Sequence, residues 1–286
     1  MNPWNPIGRY VPCLLALLAT GCVSIGADSL AGNIAEAILN QDDAETVRSG
    51  APAYLLMLDG LIADEPDNQA LLLSAARLYG AYASAFVDDA ARARRLNGKA
   101  LGYARRALCS KRPSVCKREE GPYGAFVKEL PAMDQGDLPA LFAYGASWAG
   151  WIRDRGGEWA AVADLPKVEA VMERVVALDE NYQQGAAHLY LGVLRTQLSP
   201  ALGGKPETGR FHFERAIELS NGGNLLAKVE YAEHYARLMF DRALHDRLLN
   251  EVLGADVNTL GFVLSNTLAQ RRARRLLATS PQYFEE

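Results

Sequence analysis

Cys22 is the residue whose surroundings predict a defined reaction. It follows a short apolar run, Leu14–Thr20, and then Gly21. An apolar run, small residues and a cysteine in this order are typical of a bacterial lipoprotein signal, in which a peptidase cuts before the cysteine and its thiol carries lipid. The run is shorter than the ~20 apolar residues of a transmembrane helix. We therefore predict a signal peptide at 1–21 and lipidation of Cys22, with a plain secretory signal or a buried N-terminal helix as alternatives.

A lipid anchor would determine where the chain works. Each buried methylene contributes about 0.8 kcal/mol, so two or three acyl chains hold a protein domain at a membrane surface. Val23 stands where an inner-membrane retention signal would often place Asp. The expected location is therefore the periplasm, on a membrane, with the outer membrane favoured.

Two further cysteines, Cys109 and Cys116, would remain in the mature chain. In an oxidising compartment such a close pair is a plausible disulfide. The turn at Lys111-Arg112-Pro113 would bring the two sulfurs together, and two free thiols are the alternative. Zinc binding is not expected, because the sequence has neither CxxC spacing nor a nearby histidine pair.

No catalytic constellation is evident in the sequence. Glu230 and His234 share a helix face and could form an acid–base or metal pair, although a surface pair or a satisfied core pair is the simpler interpretation. Phosphate-binding loops, GxSxG elbows and HExxH motifs are missing from the sequence. We therefore predict no enzyme activity, no metal and no cofactor.

Aromatic and basic side chains offer two candidate binding features. Tyr144, Trp148 and Trp151 recur at helical spacing and could line a ligand or partner groove; a core stripe is the alternative. A second aromatic set at 231–240 is interpreted as core. Arg271–Arg275 contains four arginines and is interpreted as a solvated helix face, with an anionic ligand or an acidic partner as the alternative.

Helices must position these residues, because apolar residues recur at helical spacing and no alternation of period two is evident. Gly- and Pro-containing breaks end the helical stretches. The predicted helices are 44–63, 69–87, 89–109, 137–155, 165–179, 183–198, 206–220, 224–240, 241–253 and 258–278. Residues 110–136 are interpreted as an irregular insertion with one short helical piece near 124–130.

Composition indicates a folded globular protein, with 49% hydrophobic and 22% charged residues and a net charge of −4. No basic field is present to recruit nucleic acid. Segments around Arg106, Arg174 and Arg215 resemble one another, and the spacing of the first two is twice the ~34-residue tetratricopeptide period. The predicted fold is all-α, with residues 22–286 forming one tetratricopeptide-like domain of stacked antiparallel helical hairpins, either an α-solenoid or a compact bundle.

Beyond Cys22 the chain resembles the T-component (TatT) family of tripartite ATP-independent periplasmic (TRAP) transport systems. The matching segments are dispersed, occur in the family order and span nearly the whole mature chain. They are Asp42–Arg48, Ala51–Leu58, Pro66–Ala76, Tyr82–Val87, Ala146–Ile152, Val162–Pro166, Gly203-Gly204, His212–Ala216 and Leu268–Ala273.

The resemblance implies a lipid-anchored periplasmic protein of tetratricopeptide-like helices. Such a protein is expected to self-associate, with a trimer around a pore as one form, and to dock the substrate-binding P-component of the transporter. It would also bind or pass an organic ligand. A general tetratricopeptide scaffold for cell-envelope assembly is the alternative function. The basic, cysteine-bearing segment Cys109–Cys116 departs from the usual family pattern.

Overall fold

The structure is a computed structural model that describes residues 32–202 and 204–285. The predicted signal peptide and Cys22 lie outside the described residues. Within those ranges the chain is helical and contains no strand, which confirms the predicted all-α class. A helical segment at 32–39 precedes helices α1 to α13. These are α1 Ala44–Asp64, α2 Gln69–Phe86, α3 Ala90–Cys109, α4 Pro113–Arg118, α5 Tyr123–Val127, α6 Leu138–Arg153, α7 Trp159–Val162, α8 Leu165–Leu178, α9 Ala186–Arg195, α10 Pro206–Leu219, α11 Leu225–Glu230, α12 Arg242–Gly254 and α13 Val263–Phe284.

Polar side chains at the breaks define where several helices begin. Asp43 accepts a hydrogen bond from the Glu45 amide, Asn68 caps α2, Asp89 caps α3 and Asp241 caps α12. Each cap satisfies a backbone N–H that has no partner within its helix. The short connections between caps bring consecutive helices together, so that α2 packs on α3 and α9 packs on α10. This is the hairpin arrangement predicted from the sequence.

The buried side chains form two apolar cores, and α9 contacts both. Leu191 belongs to the first core, which is built mainly from α1–α3, α6 and α8, and Tyr190 packs against it. Leu189 and Val193 pack against the second core, which is built from α10–α13 and the segment that follows α11. Because α9 presents opposite faces to the two cores, it helps to fix one half of the molecule against the other.

The last helix returns to the first one. Leu264 on α13 is buried in the first core, whereas Ala273 and Leu276 of the same helix lie in the second core. The Gly261 amide donates to Asn40 Oδ1 at 2.6 Å. These contacts bring the two ends of the helical array together, so the array is not an open solenoid along this side.

The insertion at 110–136 is more ordered than predicted. It contains two short helices, α4 and α5, and a 3-10 turn at Leu130–Ala132. Val115 and Phe126 have no exposed surface. The prediction of a single helical piece was wrong, because helices this short contain too few apolar residues to show a helical period. Nevertheless α4 buries Val115 and α5 buries Phe126.

Two predicted helices also differ from the observed ones. The stretch predicted at 224–240 is α11 followed by a π-helical segment, Tyr231–Ala236. The stretch predicted at 258–278 begins at Val263 and continues to Phe284, with Pro281 inside the helix. A π segment widens the helix by one residue per turn and leaves no clear trace in apolar spacing.

Glycines allow neighbouring helices to approach closely. A Cβ at Gly145 would lie 2.8 Å from Val171 Cγ1, and one at Gly192 would lie 2.7 Å from Phe213 Cδ1. Real Cβ atoms do not approach this closely, so a larger residue at either position would force neighbouring side chains to shift. The contact at Gly192 sets the distance between α9 and α10, and so supports the connection between the two cores.

Candidate functional site

The two internal cysteines lie where the predicted disulfide requires them. Cys109 ends α3 and Cys116 lies in α4, with their Cα atoms 5.9 Å apart and their Sγ atoms at bonding distance. This Cα separation is within the range that a disulfide spans. The pair therefore joins the start of the 110–136 insertion to the end of α3.

The proposed aromatic groove is not formed by the three residues named from the sequence. Tyr144 is 0% exposed and Trp148 is 1% exposed, and both lie in the first core. Their rings contact each other at 5.2 Å. Trp151 alone is half-buried, with the Arg155 guanidinium 4.3 Å from its ring centroid. The core-stripe alternative therefore describes Tyr144 and Trp148, because the i, i+4 spacing places both on the buried face of α6.

Charged side chains cluster where the π segment packs against α13. Arg272 binds both carboxylate oxygens of Glu230, and its Nε lies 2.7 Å from Glu233 Oε2. His234 Nε2 lies 3.0 Å from Glu230 Oε2. Burial alone would raise the pKa of Glu230, but the His234 hydrogen bond and the Arg272 charge outweigh burial and lower it to about 2. Glu230 and His234, the candidate acid–base pair, are thus part of a charge-compensated structural cluster.

The arginines of the 271–275 run have different environments. Arg272 faces the π segment, and Arg271 lies 4.0 Å from Glu45 of α1. Arg274 and Arg275 are exposed. The solvated-face interpretation therefore fits this run except at Arg272. The position of Arg272 on α13 directs its side chain toward Glu230 and the π segment.

Tyr190 of α9 lies within electrostatic reach of Arg153 of α6 and of Glu230. Burial raises the pKa of the Tyr190 hydroxyl, the Arg153 charge lowers it and the Glu230 charge raises it, so all three groups are within electrostatic reach. Arg153 Nη1 donates to Ser84 Oγ at 2.9 Å. This hydrogen bond joins α6 to α2.

A cavity of about 420 Å³ lies between the segment 32–40, α2 and the loop before α13. Its lining combines the charged residues Arg77 and Glu36 and the polar residues Ser74 and Asn40 with the apolar residues Leu39 and Leu260. Such a mixture of apolar walls and a few polar groups is usual for small-molecule sites. Sequence reasoning missed this cavity because its walls come from three distant parts of the chain.

An exposed aromatic patch, which we define as Met239, Phe240 and Tyr283, lies at the end of the π segment. Phe240 is 56% exposed and Tyr283 is 41% exposed, and the Arg237 guanidinium lies 4.5 Å from the Tyr283 ring centroid. The prediction that 231–240 is core holds for Tyr231 and Tyr235 and is wrong for Met239 and Phe240.

Phe240 also has an unusual backbone conformation, with φ at 56°. The Asp241 amide donates to the Ala236 carbonyl at 2.8 Å, a helix-ending bond that commonly needs a left-handed residue, usually glycine. A bulky residue here is disfavoured and, when present, often marks a functional position. The sequence did not predict this helix end, because Phe240 stands where a glycine or asparagine would normally mark it.

No helix in the described ranges is both long and apolar enough to cross a membrane. In the same ranges, no group of three or more His, Cys, Asp or Glu side chains converges on a possible metal position.

Comparison with known proteins identifies the family. A sequence model of the TRAP transporter T-component family (TAtT) matches residues 40–284. An uncharacterized protein of Treponema pallidum (strain Nichols) is 25% identical to this chain over 264 residues, which cover 85% of this chain and 81% of that protein. The match to the family extends over nearly all the described helices and includes both cores. The chain therefore belongs to the TRAP transporter T-component family.

Proposed function

We propose that the protein is the lipid-anchored periplasmic T-component of a TRAP-type solute uptake system, and that it docks the substrate-binding P-component. The family match over residues 40–284 is the observation that carries this proposal. The family is a class of transporter components and not a class of enzymes. Cys22 in its lipoprotein-type context would hold the helical domain at the membrane, with the outer membrane favoured.

The aromatic patch supports a docking role. Tyr and Arg are enriched at the energetic centres of protein interfaces, and Phe240 and Tyr283 expose two rings beside the half-buried side chain of Arg237. Trp159, at 88% exposure, is a second exposed aromatic on another part of the surface. A rigid helical scaffold that exposes such side chains is suited to grip a partner.

The cavity beside α2 supports contact with a small organic solute. Leu39 and Leu260 would accept an apolar part of the molecule, and Arg77 and Glu36 would bind its polar or charged groups. We propose that the T-component binds or passes such a ligand while the P-component is docked. Self-association, with a trimer as the expected form, belongs to the same proposal.

Co-purification from native membranes tests the docking proposal. The full-length lipoprotein, affinity-tagged at its C-terminus, is crosslinked in the cell envelope, and its partners are identified by mass spectrometry. The proposal predicts recovery of a periplasmic solute-binding protein, at reduced yield when Phe240 is replaced by Ser. Recovery of outer-membrane or pilus assembly proteins without any solute-binding protein would instead support the envelope-scaffold alternative.

The lipid anchor is tested on the same preparation. Intact-mass analysis of the mature protein should show an acylated N-terminal Cys22, and Cys22→Ala should prevent both cleavage at this position and acylation. A mature chain with an unmodified N-terminus would contradict the anchor while leaving the docking proposal intact.

A further inference from the structure

Cationic side chains are concentrated in residues 90–118, which comprise α3, α4 and the turn between them. Ten of the 30 lysines and arginines of the chain fall within this segment, and the segment contains no Asp or Glu. Because the whole chain carries a net charge of −4, this basic segment belongs to a protein that is acidic elsewhere. The aromatic patch and the cavity do not involve it.

Four of these cations form a stripe along the exposed face of α3. They recur at intervals of three, four and seven residues, which is the repeat of one helix face. The members of this cationic stripe are Arg92, Arg95, Lys99 and Arg106. The opposite face of α3 is buried, consists mainly of alanine and packs on α2 and α6. At a rise of ~1.5 Å per residue, the stripe is ~21 Å long.

The cysteine-bearing segment extends the cationic surface beyond the end of α3. Cys109 and Cys116 lie at bonding distance, which places α4 beside the C-terminal end of the stripe. Lys111 in the turn and Lys117 on α4 are both exposed. The basic character of this segment, which departs from the usual family pattern, thus continues the charge of the stripe.

Most of the stripe is not neutralised by carboxylates. Lys99 is paired with Asp59 of α1. By contrast, Arg92, Arg95 and Arg106 form no ion pair with any carboxylate in the part of the chain that the structure describes. Three arginines of α3 therefore keep their charge available to a partner outside the molecule.

Several carboxylates near α3 are occupied by other groups. Asp89 caps the N-terminus of α3, Glu158 pairs with Arg94, and Glu119 pairs with Arg105. Because these acids are held by their own partners, they do not cancel the charge of the stripe.

The composition of this surface favours lipid headgroups over a protein interface. The centres of protein interfaces combine arginine with aromatic and other apolar side chains. None of the large apolar side chains that are exposed in the described residues lies within 90–118. Anionic phospholipids attract lysine and arginine without any apolar contact, and each such cation strengthens binding by about fivefold.

The proposed anchor allows α3 to reach the bilayer. Cys22 precedes the first described residue, Gly32, by ten positions, and a segment of that length spans at most ~35 Å. An acyl tether alone leaves a domain free to rotate. Contact along ~21 Å of helix would restrict that rotation.

We propose that the cationic stripe of α3 binds the anionic phospholipid headgroups of the membrane and so orients the helical domain on its surface. The membrane location rests on the proposed function, but the affinity of the stripe for anionic lipid does not require the acyl chains. Lys111 and Lys117 add to the attraction at one end of the stripe.

Vesicle binding tests the stripe without the acyl chains. The chain from residue 22 onward, carrying Cys22→Ala, is mixed with vesicles of equal parts phosphatidylglycerol and phosphatidylcholine, or of phosphatidylcholine alone. Binding is measured by co-sedimentation. The chain should bind the anionic vesicles at least about tenfold more tightly than the neutral ones. Binding should weaken about tenfold or more between about 50 and about 500 mM NaCl, because salt screens exposed charges.

Two charge-matched variants separate the stripe from net charge. The stripe variant combines Arg92→Gln, Arg95→Gln and Arg106→Gln. The control variant removes the same charge from exposed arginines of α13 by Arg271→Gln, Arg274→Gln and Arg275→Gln. The stripe variant should bind anionic vesicles about tenfold or more weakly, and the control should change binding by less than about twofold, with circular dichroism reporting that both are folded. Equal losses in the two variants, an unchanged stripe variant or equal binding to neutral vesicles would overturn the proposal.

An acidic protein partner would give a different pattern. The stripe variant, titrated with a TRAP solute-binding P-component from the same organism, should bind as the wild type does. A loss in that titration with wild-type binding to vesicles would overturn the lipid assignment in favour of a protein. Phe240→Ser should bind vesicles like the wild type, so that failure of the docking proposal and failure of the lipid proposal are read from different variants.

Discussion

Arg272 of α13 and Glu230 at the end of α11 form a two-point ion pair, with Nη1 to Oε1 at 2.5 Å and Nη2 to Oε2 at 3.2 Å. Arg272 also contacts Glu233 within the π segment. A single guanidinium thus fastens the π segment to the helix that closes the array against α1. The cluster links the part of the chain that ends in the aromatic patch to the rest of the second core.

Removing the guanidinium should destabilise the protein. Arg272→Met leaves Glu230 largely buried without its cation, and breaking such a pair is expected to lower the free energy of unfolding by about 2–4 kcal/mol. Arg275→Met, on the exposed face of the same helix, should change it by less than about 0.5 kcal/mol. Urea denaturation of both variants measures the difference; equal effects would mean that the ion pair does not stabilise the fold.

The same cluster predicts a pH dependence. Because the folded-state pKa of Glu230 is lowered from 4.5 to about 2, its carboxylate stabilises the fold at pH values above about 4.5. That contribution is lost as the pH falls from about 4.5 to about 2, and it amounts to roughly 3 kcal/mol. Glu230→Gln should be less stable at pH 7 and should show a flatter profile in this window. A variant profile parallel to the wild type would contradict the assignment.

The α9–α10 contact should not tolerate a side chain at Gly192. In Gly192→Ala the new methyl group would lie 2.7 Å from Phe213 Cδ1, and such overpacking is expected to cost about 1–3 kcal/mol. Gly102 on α3 has open space around it, so Gly102→Ala should be neutral or stabilise by up to about 1 kcal/mol through helix propensity. The melting temperature should therefore fall in Gly192→Ala and stay unchanged or rise in Gly102→Ala.

Cys109 and Cys116 are predicted to be disulfide-bonded in the protein isolated from its native cells without reductant. Peptide mapping without reductant should yield one crosslinked peptide pair. Cys109→Ser combined with Cys116→Ser should lower the free energy of unfolding by about 2 kcal/mol, the value expected for a short closed loop. Hydrogen exchange should then increase in residues 110–136. Quantitative labelling of both thiols in the untreated protein would show that no bond forms.

Sequence reasoning predicted the parts of the fold that local signals encode. Caps such as Asn68 and breaks such as Pro66 mark helix ends, and apolar spacing marks the buried faces. The Arg272–Glu230 pair joins residues 42 positions apart, and the return of α13 to α1 joins residues still further apart. Neither has a local signature in the sequence.

The candidate site residues also divide into those with a local sequence signal and those set by contacts between distant parts of the chain. The spacing of Tyr144 and Trp148 identified one helix face but could not distinguish a buried face from a groove, and the structure shows it to be buried. The exposure of Phe240 depends on how the helix before it ends. The contact between His188 of α9 and His212 of α10 depends on how those two helices meet. Both are set by tertiary packing, which apolar periodicity does not report.

Direct binding between purified proteins tests the central claim. The purified protein is titrated with a TRAP solute-binding P-component from the same organism, by calorimetry at physiological salt. We expect a defined stoichiometry with a dissociation constant of about 10 μM or tighter, weakened about tenfold or more by Phe240→Ser and unchanged by Leu56→Ser at an exposed apolar position on α1. No binding at ~100 μM, with or without the transported solute, would contradict the account.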